Sequence, residues 1–315
     1  MAASMHFDGL NHVALSARPL HLAIGIFDGV HLGHRAVIVP AIQAARQDKG
    51  LSGVLTFWPH PSALFRPQAP TRLMFDPATK TRVLLDLGVD LVITQPFTPE
   101  VAGIDAEAFV PWLKARLSSL VAIHVGENFR FGQGRRGDVA LLARTAAAHG
   151  LKAFTAPRVT LAGEPVSSTR VRAQLEAGHL ETVNALLGYS YFAAGVIAPG
   201  KQLGRTLGFP TLNIPWAPDL RPRLGVYAVR VWNQAHPRPL PAVANYGLRP
   251  TVEQATEPRL EVHVLGACPF TSGDAVTVEW LHFLRPEMKF AGVDELRGQI
   301  ARDRESAEAY FAVGK

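Results

Sequence analysis

Two groups of residues in this 315-residue chain have the types and spacing needed to handle phosphate. The first is Gly25-Ile-Phe-Asp-Gly-Val-His-Leu-Gly-His34, which follows an apolar run and opens a helical pattern. His31 and His34 are three residues apart, so at a helix start they face the same side. Gly29 and Gly33 let backbone approach a bulky group, and the unpaired amides and dipole of a helix N-terminus favour an anion. Two imidazoles aimed at one phosphate suit charge stabilisation during nucleotidyl transfer. An isolated histidine pair is more often an accident of a surface turn, but strand, glycines and helix start together favour chemistry.

The second group begins with Gly200-Lys-Gln-Leu-Gly-Arg-Thr-Leu-Gly-Phe-Pro-Thr-Leu-Asn213. Gly200, Gly204 and Gly208 let a loop fold over phosphates, while Thr211 and Asn213 offer neutral oxygens suited to Mg²⁺. The loop is not a Walker A sequence, since GxxxxGK[ST] occurs nowhere in the chain. Further on, Leu260-Glu-Val-His-Val-Leu265 alternates, which places Glu261 and His263 on one strand face and Val262 and Val264 on the other.

Different elements must position the two groups. From His21 to about Leu187, short apolar runs at 21–27, 53–58, 91–97, 121–125 and 152–157 alternate with helical patterns at 33–46, 79–87, 105–117 and 138–149. Such alternation predicts a doubly wound parallel sheet covered on both faces, with ligands at the carboxyl ends of its strands. Pro40 falls inside the first helical pattern, where it should bend the helix. Two short helices, 168–176 and 180–187, close this half. Beyond Gly188 the period changes to 2, with strands predicted at 191–198, 225–232, 241–245, 260–265 and 275–283, the signature of an antiparallel β-barrel. Val293, Leu296, Ile300, Ala307 and Phe311 then share one face of a closing helix. The division is therefore expected at residues 1–187 and 188–315.

Bulk properties narrow the class. A chain of this length is expected to form two domains, and 48% hydrophobic with 18% charged residues supports packed cores. The single cysteine, Cys268, excludes an internal disulfide and reads as a small buried hydrophobe. A net charge of +6 suits nucleotide phosphates, nucleic acid or anionic lipid alike, but no run of five basic residues suggests a nucleic-acid tail. The N-terminus lacks the pattern of a signal peptide, and no apolar run approaches a membrane span. A cytoplasmic protein without nucleic-acid or membrane partners is expected.

The first group resembles the HxGH nucleotidylyltransferases and, more narrowly, the prokaryotic FAD synthetase family. Thr56-Phe-Trp-Pro-His-Pro61, Gly126-Glu-Asn-Phe-Arg-Phe-Gly132 and Val166-Ser-Ser-Thr-Arg-Val-Arg172 match further family segments in order. Pro210-Thr-Leu-Asn213 is similar to the PTAN motif of riboflavin kinases. Gly225-Val-Tyr-Ala, Asn245-Tyr-Gly-Leu-Arg-Pro-Thr251, Leu260-Glu-Val-His263 and Leu284-Arg-Pro-Glu-Met-Lys-Phe290 follow in that family's order.

The resemblance implies a bifunctional enzyme that phosphorylates riboflavin to FMN and then adenylylates FMN to FAD, with ATP and Mg²⁺. It implies that His31 and His34 stabilise the adenylyl phosphorus. Gly25, Phe27, Asp28, Gly29, Gly33, Asn128, Ser168, Thr169 and Arg172 would hold the nucleotide. In the kinase half it implies ATP on Gly200, Gly204, Arg205 and Gly208, Mg²⁺ on Thr211 and Asn213, and Glu261 as base for the ribityl hydroxyl. Arg285 would help position the flavin, and flavoprotein acceptors are possible partners. Ile26 and Trp58 depart from the family pattern, which keeps open a kinase with a degenerate adenylyltransferase half. A flavin- or nucleotide-binding regulator without turnover and a nucleic-acid-binding module are the readings from other classes.

Overall fold

The computed structural model describes residues 5–15, 17–199, 208–248 and 258–313. The chain divides into two compact units, Met1–Ser168 and Thr169–Lys315.

In chain order the first unit holds β1 (Met5–Asp8), β2 (Leu20–Ile24), α1 (Leu32–Gln47), β3 (Leu51–Trp58), α2 (Pro61–Phe65), α3 (Pro77–Asp86), β4 (Leu91–Pro96), α4 (Pro99–Ala102), α5 (Phe109–Arg116), β5 (Leu120–Gly126), α6 (Val139–Ala148) and β6 (Lys152–Ala156). A two-residue hairpin pair follows, β7 (Thr160–Leu161) and β8 (Glu164–Pro165). The six longer strands form one sheet in the order β1-β4-β3-β2-β5-β6, with every pair parallel.

Strand alternation sorts the apolar side chains into two cores. Leu22, Ile24, Leu55 and Ile93 pack with Val110, Leu113, Leu142 and Ala146 of α5 and α6. Ala23, Val54 and Val92 pack on the opposite face with Ile38 and Ala41 of α1 and Leu84 of α3. Helices therefore cover both faces, as in doubly wound sheets. The winding reverses between β2 and β5, so the strand ends at Ile24 and Gly126 flank the topological switch point.

Helix α1 runs through Pro40. The residue is on the solvent side, where the carbonyl left without a donor can be hydrated. The predicted first strand is shorter than expected, ending at Ile24, because Phe27, Gly29 and Val30 take positive φ and cannot continue a strand.

The second unit contains α7 (Ser168–Ala177, of which Ser168 falls in the first unit), α8 (Leu180–Leu187), β9 (Phe192–Val196), β10 (Leu212–Ile214), β11 (Gly225–Trp232), β12 (Leu240–Leu248), β13 (Pro258–Val264), β14 (Ala275–Pro286) and α9 (Val293–Val313). Its six strands are antiparallel in the order β10-β13-β12-β11-β14-β9. A bridge between Ala198 and Asn213 brings the two edges together into a nearly closed barrel. Trp280 is fully buried inside, ringed by Trp216, Tyr227 and Tyr246 at centroid distances of 5.3, 4.6 and 5.5 Å.

The short helices α7 and α8 group with this unit. Asn184 on α8 donates to the Trp280 carbonyl at 2.8 Å and accepts from the Tyr191 amide at 2.8 Å. On α9, Ala307, Tyr310 and Phe311 cover Val226, Ala228 and Val243, whereas Val293 at the helix start is exposed rather than on the packed face. Cys268 is also exposed, in the turn between β13 and β14, and not the buried hydrophobe expected from composition.

Candidate functional sites

The Gly25–His34 segment forms the turn that leaves β2 and enters α1. Positive φ values at Phe27 (51°), Gly29 (79°) and Val30 (39°) fold it tightly, and two of those residues carry side chains that disfavour the conformation. Strain of this kind persists only where the surroundings impose it. Here the Asp28 carboxylate accepts from the Met74 amide at 3.1 Å, and the Ser168 hydroxyl donates to the Asp28 carbonyl at 3.1 Å. Thr56 donates to the Ile26 carbonyl at 2.9 Å, and the Lys80 ammonium donates to Ile26 O at 3.2 Å and to Thr56 Oγ1 at 2.9 Å.

His31 caps α1, its Nδ1 accepting from the His34 amide at 3.3 Å. That role places the proton of the neutral ring on Nε2, as a donor. The two imidazoles stack with centroids 3.6 Å apart and planes 18° apart, and Phe27 meets His34 edge-on at 5.3 Å. A Cβ at Gly33 would lie 3.1 Å from the His31 ring, a tight contact that the ring could relieve only by shifting a few tenths of an ångström.

A cleft of about 480 Å³ opens over this turn at the switch point. His31 and His34 line it together with Gly25, Phe27, Gly33, Asn128 and Ser168, so five of the residues expected to hold the nucleotide share one cavity with the histidine pair, whereas Gly29 is not in its lining. Asp28 instead lies beneath the turn, buried and bonded to Met74. Thr169 and Arg172 belong to the other unit. Of the two departures from the family pattern, Ile26 lines the cleft, while Trp58 sits half-exposed at the end of β3 and is not part of the lining.

Two cations escaped the sequence reading. Arg158 lines the cleft just beyond β6 and lies 3.7 Å from Glu127. Its signal was available, as a basic residue directly after a strand end. Lys80 gave no such signal, since it reads as an ordinary helix lysine 54 positions from Ile26.

In the barrel, strand register brings distant residues together. Asn213 on β10 is directly opposite Glu261 on β13, and Glu261 is also opposite Asn245 on β12. Residues opposed in this way present their side chains on one face with Cβ atoms roughly 5 Å apart. Leu260, Val262 and Val264 are buried on the other face, so Glu261 and His263 lie on the wetter side. His263 bonds the Pro210 carbonyl at 2.8 Å, which holds the segment carrying Thr211 alongside β13.

Gly208 is exposed at the edge of this segment, and Gly200, Gly204 and Arg205 lie outside the described residues. Arg285 is engaged elsewhere. Its guanidinium grips the Asp303 carboxylate of α9 with two bonds of 2.7 and 2.6 Å, anchoring the closing helix.

Known proteins match both of the regions that carry these residues. The FAD synthetase family model matches residues 14–170, and the riboflavin kinase family model matches residues 187–311. The bifunctional riboflavin kinase/FMN adenylyltransferase of Escherichia coli K12 is 38% identical over 295 residues, 93% of each chain. This chain belongs to the bifunctional riboflavin kinase/FMN adenylyltransferase family. The family's enzyme from Listeria monocytogenes is 36% identical over 301 residues, with 92% of each chain covered. A crystal structure described as a macrolide-efflux protein from Streptococcus pneumoniae superposes with a TM-score of 0.84 at 26% identity, covering 96% of this chain and 98% of that one. Its fold is shared, but its description is its own. Among the described residues no helix is long and apolar enough to cross a membrane.

Proposed function

We infer that this chain is a transferase with two activities, phosphorylating riboflavin to FMN and adenylylating FMN to FAD, with ATP as donor in both steps. The observation that carries the reading is the joint presence of a stacked histidine pair at a parallel-sheet switch point and an Asn213–Glu261–Asn245 ladder in an antiparallel barrel. The two family matches cover those same regions. We assign adenylyl transfer to residues 1–187 and phosphoryl transfer to 188–315.

In the first site the FMN phosphate attacks the α-phosphorus of ATP in line, and pyrophosphate leaves. His31 and His34 donate to the oxygens of the α-phosphate, while the turn amides after Gly25 and the residues Phe27 and Gly33 shape the phosphate seat. Asn128 and Ser168 hold the nucleotide from across the cleft. Asp28 contributes by fixing the turn. Positioning and electrostatics carry such transfers without a covalent intermediate.

In the second site Glu261 takes the proton from the ribityl hydroxyl as it attacks the γ-phosphorus of ATP, the bond to the β–γ bridging oxygen breaks and ADP leaves. The Thr211 hydroxyl and Asn213 amide oxygen are hard neutral donors beside a carboxylate, a set that fits Mg²⁺. No cluster of three or more His, Cys, Asp or Glu occurs among the described residues. When bound, the metal would supply charge neutralisation at the transferred phosphate. The resemblance assigns Gly200, Gly204, Arg205 and Gly208 to the ATP phosphates, whereas Arg285 is held by Asp303 and anchors α9. Flavoproteins that accept FMN or FAD are the expected downstream partners.

Incubating the purified chain with riboflavin, ATP and Mg²⁺ and separating the flavins by chromatography tests the reading. FMN followed by FAD is expected. FMN alone would leave only the kinase, and neither product would overturn both assignments.

A further inference from the structure

Lys80 is nearly fully buried, with 5% of its surface exposed, although nothing in the chemistry above uses it. A buried ammonium is costly unless well paired. The carbonyl it bonds, Ile26 O, already receives the Thr56 hydroxyl at 2.9 Å, so an apolar side chain from α3 could fill this space without orphaning that carbonyl. The buried Asp28 carboxylate balances the ammonium, which lies directly behind the strained turn that carries the histidine pair.

We propose that Lys80 is a positioning residue for adenylyl transfer, pinning the Ile26 carbonyl so that the following peptide and the His31–His34 pair are held in working orientation. In a trans peptide the carbonyl and the next N–H point in opposite directions. Holding Ile26 O toward Lys80 thus turns the Phe27 amide the other way, and both Ile26 and Phe27 line the cleft. The fixed positive charge also raises the potential behind a site that must take anionic phosphates. This role rests on the adenylyltransferase reading of the first unit.

Burial lowers the Lys80 pKa to about 8, with Asp28 opposing part of that shift. Asp28, from the turn, is the charged group facing it, and β3 contributes Thr56, which does not titrate. The charge is present below about pH 8 and lost above it. Adenylylation by the parent chain should therefore show an alkaline limb near pH 8 that the kinase step does not share.

The test compares the parent, Lys80→Met and Lys80→Arg for both steps across pH 6.5–9.5, supplying FMN directly for adenylylation. Lys80→Met is expected to lower kcat for FAD formation by about 10- to 100-fold, the loss of one charged hydrogen-bonding group, with kinase turnover unchanged and an unaltered far-UV circular dichroism spectrum as the folding control. Lys80→Arg should recover activity and move the alkaline limb upward, because a guanidinium stays charged. FAD formation by Lys80→Met at the parent rate, or an unmoved limb in Lys80→Arg, would overturn the proposal. If Lys80→Met also loses the kinase step through misfolding, the limb of Lys80→Arg still decides. A parent chain that makes no FAD from FMN at any pH would instead sink the adenylyltransferase reading, and this role with it.

Discussion

At the scale of single residues, the first site depends on close contacts that tolerate little change. Gly33 is one case, since a Cβ there would crowd the His31 ring at 3.1 Å. Gly33→Ala should lower adenylylation by roughly tenfold through a displaced imidazole, while kinase turnover holds, as steady-state assays of each step would show. A second residue effect concerns stability. His124 on β5 is buried, stacks on Phe154 with centroids 4.8 Å apart, and lies 5.8 Å from the His21 ring. Burial, with a smaller contribution from His21, lowers its pKa to about 4 from an ordinary 6.5. The unfolded chain takes up a proton at pH 6.5 and the folded one only near 4, so stability present above 6.5 is lost as pH falls through that window. Thermal melts at pH 4.5 and 7 should show a smaller acid loss in His124→Phe than in the parent.

At the scale of elements, the sequence revealed what long periodic segments reveal. Four parallel strands with near-continuous burial, the helices between them, and the switch to period 2 beyond Gly188 all stand where the pattern puts them. What escaped is short. β1 has four residues with alternating partial burial, and β10 has three, so neither supplies enough apolar residues for a periodic signal. Missing β10 mattered, because it turns Asn213 from a loop residue into the register partner of Glu261. Long-range pairing of this sort is invisible to local spacing, as is Lys80 reaching the turn from α3. The motif Leu284–Phe290 was legible, but the use of Arg285 was not, since its partner Asp303 lies 18 residues away on α9. That partnership has a measurable consequence. Asp303→Ala leaves a half-buried guanidinium unpaired and removes the Gln299 contact as well, so it should cost about 3 kcal/mol in urea unfolding followed through the barrel tryptophans. Arg285→Lys, which cannot make the forked contact, should lose a smaller part.

At the scale of the whole molecule, two unrelated folds each carry a phosphate site, and the product of one is the substrate of the other. The central claim is that the two sites are chemically independent: stacked imidazoles serve adenylyl transfer only, and the Glu261 ladder serves phosphoryl transfer only. Crossed variants test it most directly. His31→Ala combined with His34→Ala, and separately Glu261→Ala, would each be given riboflavin or FMN with ATP and Mg²⁺, and the flavins quantified. The histidine variant should convert riboflavin to FMN at the parent rate and make no FAD. The glutamate variant should make FAD from supplied FMN normally but phosphorylate riboflavin ~10²–10⁴-fold more slowly. Loss of both steps in either folded variant, or retention of FAD formation without the histidines, would contradict the account.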